Sequence, residues 1–306
     1  MTIREAFQSA LGPRVRFDTP LAPFTTFRVG GKADLFVAPR SVEELQRTLA
    51  LVRRFDLPWF VLGRGSNVLF SDAGFRGVVI SFQEGFGHFT LLSDGVTIEA
   101  ECGVPVSALV QFSRKAGLTG LEAAAGIPGS VGGACFMNAG THEGNFAGLV
   151  SRLELIDLEG RRYHQNREEL DFSYRCLALR PQAIILEAWL QLRPGDPETI
   201  TKRIQGILQR RKASQPLTLP NAGSIFKNPP GDFAGRLVEA AGLKGSRIGD
   251  AQVSERHANF IVNRGNASAA DIVALIELVR QRVLEDSGIT LEPEVKVIGE
   301  RGLHGH

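Results

Sequence analysis

The stretch Gly120–Gly148 reads GLEAAAGIPGSVGGACFMNAGTHEGNFAG. Its glycines are Gly120, Gly126, Gly129, Gly132, Gly133, Gly140, Gly144 and Gly148. Each glycine inside a helix or strand costs about 0.5–1 kcal/mol, so this density predicts loops. Glycines let backbone N–H groups approach a phosphate, and Gly129–Gly133 could form such an anion-binding nest. The alternative is a surface loop, although the apolar Ile127 and Phe136 indicate burial against something.

Composition narrows the class of protein. The chain has 306 residues, 43% hydrophobic content and a formal net charge of +2, which together predict a folded globular protein. Basic residues are scattered among acidic ones, which argues against a nucleic-acid partner and leaves room for a small anionic ligand. The three cysteines, Cys102, Cys135 and Cys176, have no metal-like spacing. With no signal peptide and no apolar run of about 18 residues, we expect a cytoplasmic protein without a membrane partner.

The first part of the chain alternates strand, helix and strand. Residues 33–38 and 59–62 are predicted strands, and Ser41 with Glu44 is predicted to form a capping box between them. The second strand runs into the glycine turn Gly63–Asn67. No Gly-x-Gly-x-x-Gly opens a helix there, because residues 68–70 favour an extended conformation. A Rossmann pyrophosphate site is therefore not expected.

The rest of the chain predicts an α+β fold. Predicted strands cover 89–92, 96–100, 153–157, 184–192, 257–263 and 294–298, and predicted helices cover 106–115, 196–212, 233–241 and 268–285. Ser268 with Asp271 should cap the last helix. We divide the chain into domains at 1–82, 83–194 and 195–306, and expect a disordered tail after Gly299.

Three clusters at element junctions could carry chemistry: Tyr174-Arg175, Asn221–Pro229 and Glu292–Val295. Taken singly they mean little, because an arginine at a strand end, a serine after a glycine and a glutamate at a strand edge are common solvated residues. No Gly-x-Ser-x-Gly elbow or Ser/His pair indicates acyl transfer. His257 could contact a ligand, but we favour a hydrogen-bonded packing role.

Six motifs in order carry a family resemblance. They are Thr25–Gly31 (TTFRVGG), Gly63–Asn67 (GRGSN), Gly126–Gly133 (GIPGSVGG), Asn138–Gly140 (NAG), Asn221–Pro229 (NAGSIFKNP) and His257–Asn263 (HANFIVN). In this order they resemble the UDP-N-acetylenolpyruvoylglucosamine reductase (MurB) family, and the resemblance runs from about Thr25 to Gly299.

The resemblance implies a flavoprotein of the vanillyl-alcohol-oxidase (PCMH) type. Two N-terminal subdomains would hold FAD without a covalent bond, and a C-terminal α+β domain would close over the substrate. Glycine turns would then replace the missing Rossmann helix in binding the FAD pyrophosphate. The implied cofactor-binding residues are Arg28, Gly63, Arg64, Gly65, Ser66, Asn67, Gly126, Gly129, Ser130, Gly132 and Gly133.

The resemblance also implies a reaction. NADPH would reduce FAD, and flavin N5 would pass the hydride to the enolpyruvyl methylene carbon of UDP-N-acetylglucosamine enolpyruvate. Arg175 and a protonated Glu294 would stabilise the negative charge that develops, and Ser224 would protonate the neighbouring carbon. None of the roles of these three residues follows from their spacing in the sequence alone.

Substrate binding is implied for Tyr174, Lys212, Lys227 and Asn228, with Lys212 the weakest match. Only eight residues separate Arg175 from the strand at Ile184, too few for the long loop with which one branch of the family covers its substrate with a tyrosine. The chain resembles the other branch. What covers the uridine diphosphate is therefore left open.

Two other functions compete with this one. An oxidase or dehydrogenase of the same flavin fold could act on a small alcohol or hydroxy acid, but the first histidine and cysteine, His88 and Cys102, lie too late for a flavin tether in the early glycine turn. A non-catalytic nucleotide-binding protein would be expected to have lost Arg175, Ser224 or Glu294. We expect a monomeric enzyme that binds no metal.

Overall fold

The computed structural model describes residues 1–141, 143–180 and 182–303. The helices are α1 (Ile3–Leu11), α2 (Val42–Arg54), α3 (Val106–Lys115), α4 (Val131–Phe136), α5 (Pro197–Ser214), α6 (Ala234–Ala240) and α7 (Ala269–Ser287). The strands are β1 (Val15–Pro20), β2 (Lys32–Val37), β3 (Trp59–Leu62), β4 (Val68–Phe70), β5 (Phe75–Ser81), β6 (Phe89–Leu91), β7 (Thr97–Glu101), β8 (Leu118–Thr119), β9 (Gly140–Thr141), β10 (Gly144–Asn145), β11 (Val150–Asp157), β12 (Arg162–Asn166), β13 (Asp171–Ser173), β14 (Cys176–Ala178), β15 (Ala183–Gln191), β16 (Arg193–Pro194), β17 (Arg247–Ile248), β18 (Ala251–Val253), β19 (Ile261–Asn263), β20 (Lys296–Gly299) and β21 (Gly302–Leu303).

The chain packs into two compact units, each discontinuous in sequence. Unit 1 comprises Met1–Phe17, Leu35–Arg64 and Val78–Arg210, and unit 2 comprises Asp18–Asp34, Gly65–Gly77 and the described part of Arg211–His306. Strands β1, β2 and β5 and helix α5 run from one unit into the other. Because this division does not test the boundaries 1–82, 83–194 and 195–306, they stay a prediction.

Unit 1 is built on an antiparallel sheet with strand order β12-β11-β15-β7-β6. Strand β15 is buried on both faces: Leu186, Ala188 and Leu190 lie on one, and Ile185 and Trp189 on the other. Helix α4 contacts β15 and also reaches β14. In the other large sheet, of order β1-β2-β5-β3, strand β3 runs parallel to β5.

Unit 2 combines helices and short sheets. Helix α7 packs on β17 and β18 of the antiparallel sheet β17-β18-β19 and contacts α6. Strand β20 pairs in parallel with β4. Ile225 and Phe226 are buried in this unit together with Ile272 of α7. The segment before α6 and the segment before β20 are thereby fixed to one core.

Several predicted helix bounds and helix caps are confirmed. Helix α3 spans the predicted residues, and α5 begins at Pro197, where the Asp196 carboxylate accepts the Thr199 N–H at 2.7 Å. Ser268 and Asp271 form both halves of a capping box on α7.

The predicted capping box at Ser41 is wrong in one half. The Ser41 hydroxyl accepts the Glu44 N–H at 3.3 Å, as expected. The Glu44 carboxylate does not return to Ser41, because it accepts the Arg40 N–H at 2.7 Å and pairs with Arg14 at 3.4 Å. A neighbouring N–H and a partner distant in sequence together occupy the Glu44 carboxylate in place of the Ser41 N–H.

Two predicted spans also need correction. The strand predicted over 257–263 begins only at Ile261, because residues 257–260 form a turn in which the His257 carbonyl accepts the Phe260 N–H at 3.0 Å. The tail after Gly299 is not wholly irregular, since β21 pairs with β20. Residues 304–306 lie outside the described residues.

The described residues contain neither a helix that could span a membrane nor a metal-binding cluster. No helix there combines the length and the apolar character needed to cross a bilayer. No cluster of histidine, cysteine, aspartate or glutamate in those segments could hold a metal ion.

Candidate active site

The first predicted cofactor segment, Gly63–Asn67, leads from β3 to β4. Gly65 has φ +64°, and a Cβ added there would lie 2.1 Å from the Phe24 carbonyl oxygen, so only glycine fits. The Gly65 carbonyl accepts the Thr26 N–H at 3.0 Å, which fixes the turn to the Thr25–Gly31 motif within unit 2. The amide groups of residues 64–66 donate to no acceptor among the residues described. They are available to a ligand.

The second segment, Gly129–Gly133, is not the five-amide nest that the sequence predicts. Residues 131–136 form the short helix α4, and the Gly129, Val131 and Gly132 amides donate to the carbonyls of Ile127, Val104 and Cys102 at 2.9–3.0 Å. A Cβ on Gly132 would lie 2.8 Å from the Cys102 Cβ, so close packing, not a loop, explains this glycine.

What remains of the nest still fits an anionic cofactor. The Ser130 and Gly133 amides donate to no acceptor within residues 1–141, 143–180 and 182–303. Gly63 lies beside them, because a Cβ added there would be 2.8 Å from the Ser130 hydroxyl oxygen. Two predicted cofactor segments therefore meet in unit 1 at a place with free backbone donors and little side-chain bulk. This arrangement fits the FAD pyrophosphate.

The remaining predicted cofactor residues are exposed. Arg64 and Gly126 are exposed in unit 1, and Arg28 is exposed in unit 2. Arg28 has φ +56°, a conformation that non-glycine residues seldom adopt, and its N–H donates to the Thr25 carbonyl at 3.2 Å. Nothing in the structure tests whether these three residues contact FAD.

In unit 2 the structure brings Ser224 and Glu294 onto adjoining segments. The Glu294 N–H donates to the Ile225 carbonyl at 2.7 Å, and Phe226 forms a bridge with Pro293. Asn67 joins them, since its side-chain amide donates to the Glu294 carbonyl at 3.1 Å. A predicted cofactor residue thus lies against a predicted catalytic residue.

The predicted substrate residues of unit 2 have protein partners. The Lys227 ammonium pairs with Glu292 at 2.5 Å, and the Asn228 side-chain oxygen accepts the Ala234 N–H at the start of α6 at 3.1 Å. Lys212 is exposed near the end of α5, where its carbonyl accepts from Arg256 at 3.1 Å.

Tyr174 and Arg175 form the two-residue turn of the β13–β14 hairpin in unit 1. Ser173 pairs with Cys176 on either side of the turn. Arg175, the second central residue of the turn, has φ +58°, as a type II turn requires. Its guanidinium carbon lies 5.1 Å from the centre of the Tyr174 ring. Tyr174 is 52% exposed, which makes it accessible to a ligand.

His257 is better explained by packing, as predicted. Its Nδ1 accepts the Asn259 N–H at 3.2 Å, and its ring lies 4.7 Å from that of Phe260. Burial first, and then the nearby Lys244 charge, lower the pKa of His257 below its ordinary value. A lowered pKa keeps Nδ1 free to accept this bond.

Three asparagines with no role predicted from the sequence, Asn138, Asn259 and Asn263, are buried. Each side chain holds a backbone segment: Asn138 bonds to the Ser173 carbonyl, Asn259 to Phe226 and Asn263 to the Phe27 carbonyl. The available signal was their type, because an amide buried among apolar residues must find hydrogen-bond partners. All three lie within or beside quoted motifs.

Comparison with known families matches both parts of the chain. The family described as "UDP-N-acetylenolpyruvoylglucosamine reductase, C-terminal domain" matches residues 215–298, and that described as "FAD binding domain" matches residues 33–165.

Relatives match nearly the full length. The chain is 47% identical over 293 residues to the UDP-N-acetylenolpyruvoylglucosamine reductase of Moorella thermoacetica, covering 96% of each chain. It is 48% identical over 285 residues to that of Heliobacterium modesticaldum, covering 92% of this chain and 90% of the relative.

A solved structure matches the same family as these relatives. UDP-N-acetylenolpyruvylglucosamine reductase (MurB) from Thermus caldophilus matches with a TM-score of 0.79 and 38% identity, over 92% of this chain and 97% of that one. The glucose dehydrogenase Phl p 4.0202 matches at TM-score 0.50 and 15% identity, over 73% of this chain and 51% of that one, which shows the fold alone. The predicted α+β fold with a PCMH-type FAD-binding region is confirmed.

Proposed function

Because the chain belongs to the UDP-N-acetylenolpyruvoylglucosamine reductase family, we propose a role for each site residue in reducing UDP-N-acetylglucosamine enolpyruvate to UDP-N-acetylmuramate. The chain is this reductase of peptidoglycan precursor synthesis, and FAD is its cofactor. We further propose that NADPH is the hydride donor and that the enzyme acts as a cytoplasmic monomer, with no nucleic-acid or membrane partner.

The Gly63–Asn67 turn and the segment around Ser130 and Gly133 would hold FAD without a covalent bond. Their free amide groups supply donors to its diphosphate, and the nearby glycines leave room for it. When bound and reduced, FAD supplies the hydride for the methylene carbon of the enolpyruvyl group. Arg28, Arg64 and Gly126 are proposed as further contacts on the family match alone.

Arg175 and Glu294 stabilise the charge that appears on the substrate. As the methylene carbon becomes a methyl group, negative charge develops on the neighbouring carbon and its carboxylate. The Arg175 guanidinium supplies a cation for this charge, and protonated Glu294 supplies a hydrogen-bond donor. Preorganised donors of this kind contribute about 2.7–4 kcal/mol each to transition-state stabilisation.

Ser224 is the general acid. Its hydroxyl proton passes to the carbon next to the carboxylate and completes the reduction. General acid catalysis contributes about 10²–10⁴-fold. Gly223, with φ +75° and open space around it, turns the backbone directly before this serine.

The observation that carries this assignment is the bond from the Glu294 N–H to the Ile225 carbonyl at 2.7 Å. It joins the residue after Ser224 to Glu294, so the proposed proton donor and the proposed carboxyl group belong to one rigid piece of unit 2. Residues with two complementary roles in one protonation step are expected to be fixed together.

Lys227 and Asn228 follow Ser224 on the same segment and would bind the diphosphate or carboxylate of the substrate. The Lys227 ammonium has three donors, so its pair with Glu292 leaves others for a ligand. Tyr174 would contact the substrate from the hairpin turn. Lys212, exposed on α5, stays the weakest of these assignments.

The test is an anaerobic spectrum of Ser224→Ala, with NADPH and then the enolpyruvyl substrate added. Flavin bands should bleach with NADPH at close to the normal rate, and their return with substrate should slow by about 10²–10⁴-fold. Ser246→Ala, at another half-buried serine of unit 2, is the matched control and should behave as wild type.

Reoxidation of Ser224→Ala by substrate at the normal rate would make the proton-donor assignment wrong. If reduced wild-type enzyme regained its flavin bands only in air, the substrate assignment itself would fail. That result would favour an oxidase of the same fold.

A further inference from the structure

We propose that Asn138 is a positioning residue that fixes the Arg175 hairpin to helix α4. The Asn138 side chain is 6% exposed. Its Nδ2–H donates to the Ser173 carbonyl at 2.8 Å, and its Oδ1 accepts the Ala147 N–H at 3.0 Å. This inference rests on the proposed function, because it gives Asn138 a role through Arg175.

The hairpin tip needs such an anchor. A two-stranded hairpin alone is marginally stable in water, so contacts outside it decide where its turn lies. Ser173, Tyr174 and Cys176 are exposed and Arg175 is half-buried, so burial at the tip contributes little beyond Arg175 itself. The bond to the Ser173 carbonyl acts at the last residue before the turn. It therefore constrains the position of Arg175 two residues later.

The position of Asn138 along the chain connects two parts of the site. Asn138 lies just after α4. Ser130 directly precedes this helix and Gly133 lies in its first turn, and the amides of these two residues are the proposed donors to the FAD diphosphate. The six residues of α4 span about 9 Å. One short helix thus has flavin-binding amides at one end and the anchor of the substrate's arginine at the other.

Backbone conformation supports a role for the side chain itself. Asn138 has φ +40°, and glycine is the residue that most easily adopts positive φ after a helix. Glycine would leave both the Ser173 carbonyl and the Ala147 N–H without this partner. Asparagine tolerates the conformation and supplies one donor and one acceptor.

Asn138→Asp separates the donor from the acceptor. The carboxylate keeps the shape and can still accept the Ala147 N–H, but it places an oxygen against the Ser173 carbonyl. We expect the hairpin tip to shift. A displacement of about 1 Å can cost 10²-fold, so substrate-dependent flavin reoxidation should slow about 10- to 100-fold. Reduction by NADPH and the spectrum of bound flavin should stay as in wild type.

A pH series gives a readout that a general loss of structure would not. Protonating the new carboxyl restores an O–H donor to the Ser173 carbonyl. The ratio of the variant's reoxidation rate to that of wild type should therefore rise as the pH falls toward the carboxyl range, about 3.9 for an ordinary aspartate.

Asn145→Asp is the matched control. Asn145 is exposed, and its Oδ1 accepts the Gly148 N–H at 3.2 Å, a bond that a carboxylate keeps. Both half-reactions should proceed at wild-type rates in this variant. Asn138→Gly, which suits positive φ and buries no charge, should show the same selective loss and serves if Asn138→Asp does not fold.

Wild-type reoxidation in Asn138→Asp and Asn138→Gly would overturn the inference. An equal loss in both half-reactions, with weakened FAD binding, would also overturn it, because Asn138 would then support the fold in general. Failure of the proposed function is distinct, since wild-type enzyme would then not be reoxidised by substrate without oxygen.

Discussion

The Ser224 segment and the Arg175 turn are held in place by different means. Around Ser224, the Ile225 and Phe226 amides both donate to Asn259 at 2.9 Å, and the Asn259 side chain donates back to the Phe226 carbonyl at 2.9 Å. The Glu294 N–H adds a further bond to the Ile225 carbonyl. The Arg175 turn instead ends a hairpin whose tip is mostly exposed, although Leu177 of β14 is buried, and the Asn138 side chain binds the Ser173 carbonyl just before the turn.

The difference suits the two proposed tasks. A proton donor must meet one carbon with a short, directed bond, so a rigid segment in a buried core is an advantage. A cation that stabilises spread charge acts over a longer distance and tolerates a less rigid support. Three changes would break or sharpen this comparison, each measured as a change in the free energy of unfolding.

Asn259→Ala should have the largest effect. It leaves the buried N–H and carbonyl of Phe226 without partners and creates a cavity, and each unsatisfied buried group costs about 1–3 kcal/mol. We expect a loss of about 3 kcal/mol in urea unfolding of the FAD-bound enzyme. Asn145→Ala, at an exposed asparagine, should cost no more than about 1 kcal/mol. Equal losses would mean that the Ser224 segment does not depend on this clamp.

The difference in the free energy of unfolding between Arg175→Gly and Arg175→Ala should be smaller than the effect of Asn259→Ala. Both remove the cation and should slow reoxidation by the substrate about 10²–10³-fold. Arg175 has φ +58°, so alanine keeps the strained conformation that glycine relieves. The glycine variant should be more stable than the alanine variant by about 1 kcal/mol in the same assay. The opposite order would show that the turn relaxes without its side chain and is not held in this conformation.

The smallest change in the free energy of unfolding should come from pH, through His257, whose Nδ1 accepts the N–H of Asn259. Because the pKa of His257 is lowered in the folded protein, its stabilising contribution is present above the ordinary value of about 6.5 and is lost as the pH falls through the lower, folded value. We expect less than about 1 kcal/mol after solvent screening. His257→Asn should lose less stability than wild type between pH 7.5 and pH 5. A larger loss in the variant would contradict this role.

Most elements could be predicted because their signals are local. Helix α3 follows from its apolar spacing, and the start of α5 follows from a cap within a few residues. The Ser41–Glu44 box failed because the Glu44 carboxylate accepts the N–H of Arg40 rather than that of Ser41, and also pairs with Arg14, which lies 30 residues away. The Gly129–Gly133 segment failed in the same way, because its amides bond to carbonyls of residues near 102–104 that no local pattern reveals.

The residues of the candidate site fall into the same two groups, those predicted from the sequence and those whose partners lie far away in the chain. The family resemblance predicted roles for Ser224, which lies in a motif, and for Arg175 and Glu294, which lie outside the six motifs. It did not identify the asparagines that hold them, although Asn138 and Asn259 lie in motifs that we quoted. Their bonds join residues 35 and 33 positions apart in the chain.

By itself the sequence determined the α+β class, through caps and hydrophobic patterns. The order of its motifs determined the family resemblance, which implied the flavin cofactor and the residue types of the proposed reaction. Only the tertiary structure decided which backbone amides of the glycine segments stay free for a ligand. It also decided that Gly132 is needed for packing and that buried asparagines hold the segments of Ser224 and Arg175, the proposed catalytic residues. The physical reason is that a buried amide or carbonyl must be paired, and the partner is set by the fold and not by its neighbours in the chain.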